Sequence, residues 1–148
     1  MRALIQRVDY AKVTVESETI GQIEKGLLVL LGVTHDDTED IAHKLAAKVS
    51  KLRIFNDDAG KMNLSVKDVG GSVLVVSQFT LYANAKDGNR PSYTQAAQPE
   101  KATHLYTIFS KSLRSLGFTV ANGQFGANMN VELLNQGPVT IWLDSDDF

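Results

Sequence analysis

Val73-Leu74-Val75-Val76 is the stretch that most limits how this chain can fold. Four apolar residues run without a break, three of them β-branched, behind the turn signal Gly70-Gly71. Such a run reads as a strand buried on both faces, so the fold has to supply a layer on each side of it. The run passes directly into Ser77-Gln78-Phe79-Thr80-Leu81. Unpaired polar groups at a core edge cost about 1–3 kcal/mol each, so these hydroxyls and this amide need partners or a use. The end of a rigid central strand is a good place to hold a reacting group. The alternative is that Ser77 and Thr80 bond neighbouring backbone and simply end the strand.

Leu27-Leu28-Val29-Leu30-Leu31-Gly32-Val33 is a second continuous apolar run, and its length and flanking glycines favour a strand over a helix. Two doubly buried strands fit within 148 residues as one domain, 1–148, with a core of ordinary size. At 43% hydrophobic and 22% charged, the composition is that of a soluble globular protein. No apolar run approaches the ~20 residues of a membrane span. The start, Met1 to Arg7, turns polar too soon for a signal peptide and reads as a first strand. With no cysteine, thiolate catalysis, disulfides and cysteine zinc sites are excluded, and a cytoplasmic location is expected. The net charge of −2 argues against a protein that coats long nucleic acid, while leaving contact with one end of such a polymer open.

Around the two runs, Ala3 to Asp9 and Lys12 to Glu16 read as a hairpin turning at Tyr10-Ala11, with Gly21-Gln22-Ile23 as a brief third strand. Asp36 or Thr38 can cap a helix whose apolar stripe is Ile41, Leu45, Val49 and Leu52. Leu52 to Phe55 can turn into a strand, and Asn56-Asp57-Asp58-Ala59-Gly60 reads as a turn, without calcium-loop spacing. Tyr82 to Tyr93 is a polar loop. Pro99 suits the first position of a second helix, with Ala102, Leu105, Phe109, Leu113 and Leu116 as its buried stripe and Gly117 as its stop. Phe118 to Ala121, Asn130 to Leu134 and Val139 to Leu143 are three more strand candidates, and Asp144-Ser145-Asp146-Asp147 reads as a solvated tail. The expected fold is α+β: a curved, barrel-like, mostly antiparallel sheet covered by two main helices.

The candidate chemistry is unusual for what it omits. None of His35, His43 and His104 shows helical metal-site pairing or sits beside Ser77 or Thr80 in sequence. Surface or packing roles are expected for all three, so no general base is evident. Gln124-Phe125-Gly126-Ala127-Asn128-Met129 can form a flat apolar slot suited to stacking a base, or merely a glycine turn with two core residues. Asn135-Gln136-Gly137-Pro138-Val139-Thr140 is an ordinary turn, or a built feature if Gly137-Pro138 is cis.

Ser77-Gln78-Phe79-Thr80-Leu81 together with Asn135-Gln136-Gly137-Pro138-Val139-Thr140 resembles the motif pair of the D-aminoacyl-tRNA deacylases. Ala3 to Val8, Gly26 to Val33, Gly60-Lys61-Met62-Asn63, Arg90-Pro91-Ser92 and Phe125-Gly126-Ala127 resemble that family too, so the likeness spans essentially the whole chain. Gln136 falls at a variable motif position, and the 82–88 loop and the tail after Leu143 carry no likeness. The resemblance implies a homodimer that hydrolyses the ester between a D-amino acid, or mischarged glycine, and the terminal adenosine of tRNA. Its partner is the acceptor end of aminoacyl-tRNA, with no cofactor and no metal. It implies Ser77, Gln78, Phe79 and Thr80 as the catalytic floor in one subunit. Gly137 and Pro138, joined by a cis bond and braced by Arg7, reach in from the other as a chirality gate. Ala102, Phe125, Gly126, Ala127 and Met129 bind the adenosine. The missing histidine fits such a reaction: backbone donors can hold the oxyanion and the ribose 2′-hydroxyl can help activate water, with a nucleophilic Thr80 as the competing mechanism. Two other readings stay open: a noncatalytic RNA-end or nucleotide-binding module, and a hydrolase of another small ester.

Overall fold

A computed structural model describes residues 1–148. The Val73 run is the core of strand β6 (Ser72–Ser77), and it lies beside β3 (Gly26–Gly32), the other apolar run. The sheet order is β2 (Glu18–Ile23), β1 (Arg2–Val15), β3, β6 and β7 (Val120–Asn122), with the long β8 (Asn130–Asp144) along the other edge of β1. β3 pairs β6 and β6 pairs β7 in parallel, whereas β1 meets β2, β3 and β8 antiparallel. The sheet curls until β2 meets β7: a Cβ on Gly21 would stand 2.5 Å from the Asn122 carbonyl oxygen. The result is a nearly closed, barrel-like mixed sheet. A separate two-stranded ribbon joins β4 (Phe55–Asn56) and β5 (Met62–Leu64) around the Asn56–Gly60 turn.

Alternation along β6 explains why its apolar run is unbroken. Val73 and Val75 face a large core shared with helices α1 (Glu39–Lys51) and α2 (Pro99–Ser115), where Leu45, Val49, Leu105, Phe109 and Leu113 are buried. Leu74 and Val76 face the barrel interior with Val8, Ala11, Val13, Ile23 and Leu28. Thr38, not Asp36, caps α1: its hydroxyl accepts the Ile41 N–H at 3.3 Å. In α2 the buried stripe stops at Leu113; Leu116, expected within it, is 41% exposed where Gly117 takes φ +98°. No helix is long and apolar enough to cross a membrane.

Two expected breaks are not breaks. Tyr10-Ala11 is no turn but the middle of one strand, Arg2–Val15, and Ala11 is fully buried. Register against β8 shifts between Gln6 and Val8 and again between Val8 and Tyr10. These bulges hand the strand's buried side chains from the helix-facing core (Ala3, Ile5) to the barrel interior (Val8, Ala11, Val13). The real turn is Glu16-Ser17, with φ of 49° and 68°. Likewise Asn130–Leu134 and Val139–Leu143 are two halves of β8. Asn135 pairs Val8 and Thr140 pairs Gln6, so Gln136, Gly137, Pro138 and Val139 bulge out opposite Arg7 alone. The acidic tail is only partly solvated: Asp144 accepts from Arg2 Nε at 3.0 Å, and Ser145 Oγ accepts from the Met1 ammonium, which also pairs with buried Asp37 at 2.7 Å.

Candidate active site

Where β3 and β6 end side by side, their C-terminal ends open into a cavity of about 390 Å³. Leu31 and Ser77 are register partners there, and the Gln78 N–H donates to the Leu31 carbonyl at 2.8 Å. The chain then tightens into a 3-10 turn, Phe79–Tyr82. A 3-10 turn leaves its first N–H groups without an acceptor inside the turn. Those of Phe79 and Thr80 enter none of the loop and turn hydrogen bonds either. Gln78 Nε2 donates to Thr80 Oγ1. Phe79 is 56% exposed at the mouth, edge-on to Tyr93 with ring centroids 5.1 Å apart.

One wall is the entry to α2, from Ala96 to Pro99, continued by Ala102 and Tyr106 on its inner face. That wall is tied to the exit of β3: Ala97 N–H donates to the Val33 carbonyl at 2.9 Å, and Thr34 Oγ1 to that of Gln95 at 2.5 Å. The opposite wall is Phe125 and Gly126, from the loop after β7. Tyr106 locks the rear. Its hydroxyl donates to the Val75 carbonyl at 2.8 Å and accepts from Asn122 Nδ2 at 2.9 Å, while Asn122 Oδ1 accepts from Arg114 at 2.6 Å. Burial raises the Tyr106 pKa, so the phenol keeps its proton. The lining is mostly apolar and holds no histidine, acid, lysine or arginine. His35, His43 and His104 are engaged elsewhere, with Thr94, Ser112 and Glu39.

Ser77, Gln78, Phe79, Ala102, Phe125 and Gly126 thus meet around one cavity. Thr80 stands behind Gln78, outside the lining. Ala127 closes a turn onto the Gln124 carbonyl at 3.2 Å. Met129 packs towards the barrel interior, its sulfur accepting the Gln124 N–H at 3.4 Å. Tyr93, Tyr106 and the 96–99 wall were not anticipated from the sequence. Tyr106 was within reach of it, one helical turn after Ala102.

Gly137 and Pro138 lie elsewhere. Their peptide bond is cis, both are exposed, and Gly137 takes φ +127°. Arg7, only 5% exposed, lies beneath them. It donates to the carbonyls of Gln136 (3.0 Å) and Ile54 (2.8 Å) and to Asn56 Oδ1 (3.2 Å). A Cβ on Gly137 would fall 2.8 Å from the Arg7 guanidinium. Arg7 is the register partner of Leu27, whereas Ser77 is that of Leu31. Four strand residues, roughly 13 Å, separate the two along β3. Within one chain the bulge does not reach the cavity.

The family described as D-Tyr-tRNA(Tyr) deacylase matches the chain over residues 4–144. A D-aminoacyl-tRNA deacylase of Paracoccus denitrificans (strain Pd 1222) is 59% identical over 147 residues, 99% of each chain. One from Deinococcus radiodurans is 58% identical over 144 residues, 97% of this chain and 99% of that one. Among solved structures, a c-Myc DNA unwinding element binding protein superposes with a TM-score of 0.91 at 40% identity, covering 97% of this chain and 98% of its own. A probable eukaryotic D-amino acid tRNA deacylase superposes at 0.83 with 17% identity, a likeness of fold alone, over 96% and 97% of the two chains.

Proposed function

The chain belongs to the D-Tyr-tRNA(Tyr) deacylase family and is a D-aminoacyl-tRNA deacylase, a carboxylic-ester hydrolase; from that premise we propose how its site works. The cavity takes the terminal adenosine of a charged tRNA. Phe125 and Gly126 lie along the base, and Ala102 and Tyr106 close the space behind it. The ester is directed to the Ser77–Thr80 floor. The observation that carries this reading is a cavity with no side-chain base, floored by Ser77, Gln78 and Phe79, where the Phe79 N–H enters none of the loop and turn hydrogen bonds.

Water attacks the ester carbonyl carbon. The new C–O bond forms, the bond to the ribose oxygen breaks, and the proton passes to that leaving oxygen. Backbone donors aimed at the developing oxyanion supply about 3–4 kcal/mol without any titrating group. The neighbouring ribose 2′-hydroxyl is the remaining group able to help activate water.

Chirality is read by backbone from a second copy. A pocket that must hold every D side chain cannot read the side chain itself, so it has to reject the L arrangement close to the α-carbon. The exposed Gly137-Pro138 bulge, pinned by Arg7, suits that task, since glycine allows close approach. It lies too far from its own cavity and so enters its partner's. Glycine esters carry no side chain to clash and pass the same gate. A homodimer is also supported by β8, whose outer edge is unpaired and whose outward face exposes Leu134 (50%) and Trp142 (47%). As one deacylase domain acting on tRNA, the protein works in the cytoplasm.

The test is deacylation of D-, L- and glycyl-tRNA. The D and glycyl esters are hydrolysed and the L ester is spared; a 2′-deoxyadenosine terminus slows the reaction strongly. Equal rates on deoxy and ribo termini refute 2′-hydroxyl assistance, and an active monomer by sedimentation refutes the shared gate. Binding of charged tRNA without turnover makes the protein an RNA-end-binding module instead.

A further inference from the structure

At the far end of α2 from the catalytic cavity lies a second hollow, of about 320 Å³, and its character is opposite. Lys51, Arg53 and Lys67 line it together with Ser65 and Asp68. None of the three cations has a carboxylate within salt-bridge distance. Three cations against one carboxylate give the hollow +2, so with the whole chain at −2 the remainder carries −4. Two of the donors, Arg53 and Ser65, are held in place. Arg53 Nε donates to the Asn63 carbonyl at 2.9 Å and one terminal nitrogen to Asn63 Oδ1, which fixes the guanidinium and leaves the other terminal nitrogen free. Ser65 Oγ accepts the Asp68 N–H at 3.2 Å and keeps its own hydrogen to give. Asp68 is turned inward onto the Ser65 N–H at 2.9 Å. That bond, with Arg53 and Lys67 nearby, holds its carboxyl below the usual value.

We infer that this hollow is a second contact for the substrate, gripping backbone phosphates of the tRNA acceptor arm while the cavity holds the terminal adenosine. The inference rests on the deacylase reading and adds a site to it. A fixed guanidinium fork, two free ammonium groups and a free hydroxyl suit phosphate oxygens. The spacing fits as well. α2 begins at the cavity and ends at the hollow, and its 17 residues span about 25 Å at 1.5 Å each. With one phosphate per roughly 3.4 Å of stacked strand, that is about seven nucleotides from the ester. A local positive charge at the hollow, beside an uncharged cavity, gives an acidic protein one place to hold the RNA backbone.

The test compares two substrates on the intact enzyme: D-aminoacyl-tRNA and D-aminoacyl-adenosine, which lacks every phosphate. The variant Lys51→Glu/Lys67→Glu, with Lys51→Gln/Lys67→Gln as its milder form, leaves Arg53 and its bonds in place. For tRNA, KM rises about tenfold or more at low salt with kcat unchanged, and the milder pair shows a smaller rise. The slope of log KM against log salt flattens by about 1.4–1.8, the value for two lost phosphate contacts. For D-aminoacyl-adenosine both constants stay at wild type. An unchanged KM and slope on tRNA overturn the inference, and so does an equal loss on both substrates. If the wild type hydrolyses neither substrate, the deacylase reading falls by itself; uncharged tRNA binding to wild type and variant then reads the hollow directly, and equal affinities overturn it.

Discussion

Replacing Thr80 by alanine decides between the two mechanisms the floor allows, because they differ by orders of magnitude. The Thr80 hydroxyl accepts from Gln78 Nε2, and no histidine, acid or lysine lines the cavity to take its proton. If the hydroxyl only orients the Gln78 amide, its removal costs one partly exposed hydrogen bond, about 0.5–1.5 kcal/mol. At 1.36 kcal/mol per factor of ten, that slows kcat/KM roughly 2- to 13-fold. If Thr80 were the nucleophile, its loss would cost the whole covalent route, on the order of 10³-fold or more by analogy with removal of triad members. Single-turnover hydrolysis of D-aminoacyl-tRNA by Thr80→Ala, with Thr80→Ser beside it, separates the cases. The expected result is a Thr80→Ala rate within about 13-fold of wild type. A loss beyond 10³-fold that serine restores, or an acyl group trapped on Thr80, refutes the reasoning.

Three more outcomes follow from the packing and the charges. Arg7→Met strips the buried Ile54 carbonyl and the Gln136 carbonyl of their donor, and at about 1–3 kcal/mol for each stranded acceptor the loss in urea denaturation should be roughly 2–6 kcal/mol. Phe109 is fully buried between helices and sheet, so Phe109→Ala should lower stability by about 3–5 kcal/mol in the same measurement. Burial pushes the Asp144 carboxyl up, but the Asp146 N–H and Arg2 outweigh it, and its pKa lies below the usual 3.8. Its stabilising effect is therefore complete above that value and disappears as pH falls through the lowered one. Asp144→Asn should be less stable at neutral pH and lose less between pH 4 and pH 2, and parallel acid limbs for the two proteins would count against this.

The sequence showed the helices and the two central strands clearly because their signals are local. The turn at Gly70-Gly71 and the unbroken run after it place β6, and Pro99 and Gly117 bracket α2. It misled at Tyr10-Ala11 and at Asn135–Thr140, and for one reason. Both are interruptions of period-two alternation, and a hairpin turn and a β-bulge interrupt it alike. What tells them apart is the neighbour: here β1 and β8 are paired along their whole length, so each interruption is absorbed as a bulge in a continuous ladder. That pairing joins residues 116 to 142 positions apart, beyond what any local pattern reports.

The site divides along the same line. Ser77, Gln78 and Phe79 were visible because polar groups at the end of a buried strand are locally anomalous, and Phe125 because it stands beside Gly126. Tyr93 and the 96–99 wall were not, since nothing in Ala96-Ala97-Gln98 distinguishes a cavity wall from a linker. Only the tether from Thr34 and Val33 to Gln95 and Ala97 turns that segment into a wall. Arg7 shows the converse. Its residue type was plain from the start, but its meaning depends on two segments the sequence keeps far apart. A buried guanidinium with no carboxylate in reach is costly unless carbonyls take its hydrogens. Here the bulge at Gln136 and the strand end at Ile54 provide them, so one side chain fixes the place where β8 leaves the ladder to the place where β4 begins. Without the bulge the guanidinium would lose one of its three acceptors, the Gln136 carbonyl. Arg7 holds the bulge from beneath, while Asn135 Oδ1 accepts the Val139 N–H at 3.2 Å across its base. The guanidinium beneath the bulge thus fixes the geometry of Gly137 and Pro138: a Cβ on Gly137 would stand 2.8 Å from it, so only glycine lets the backbone lie this close.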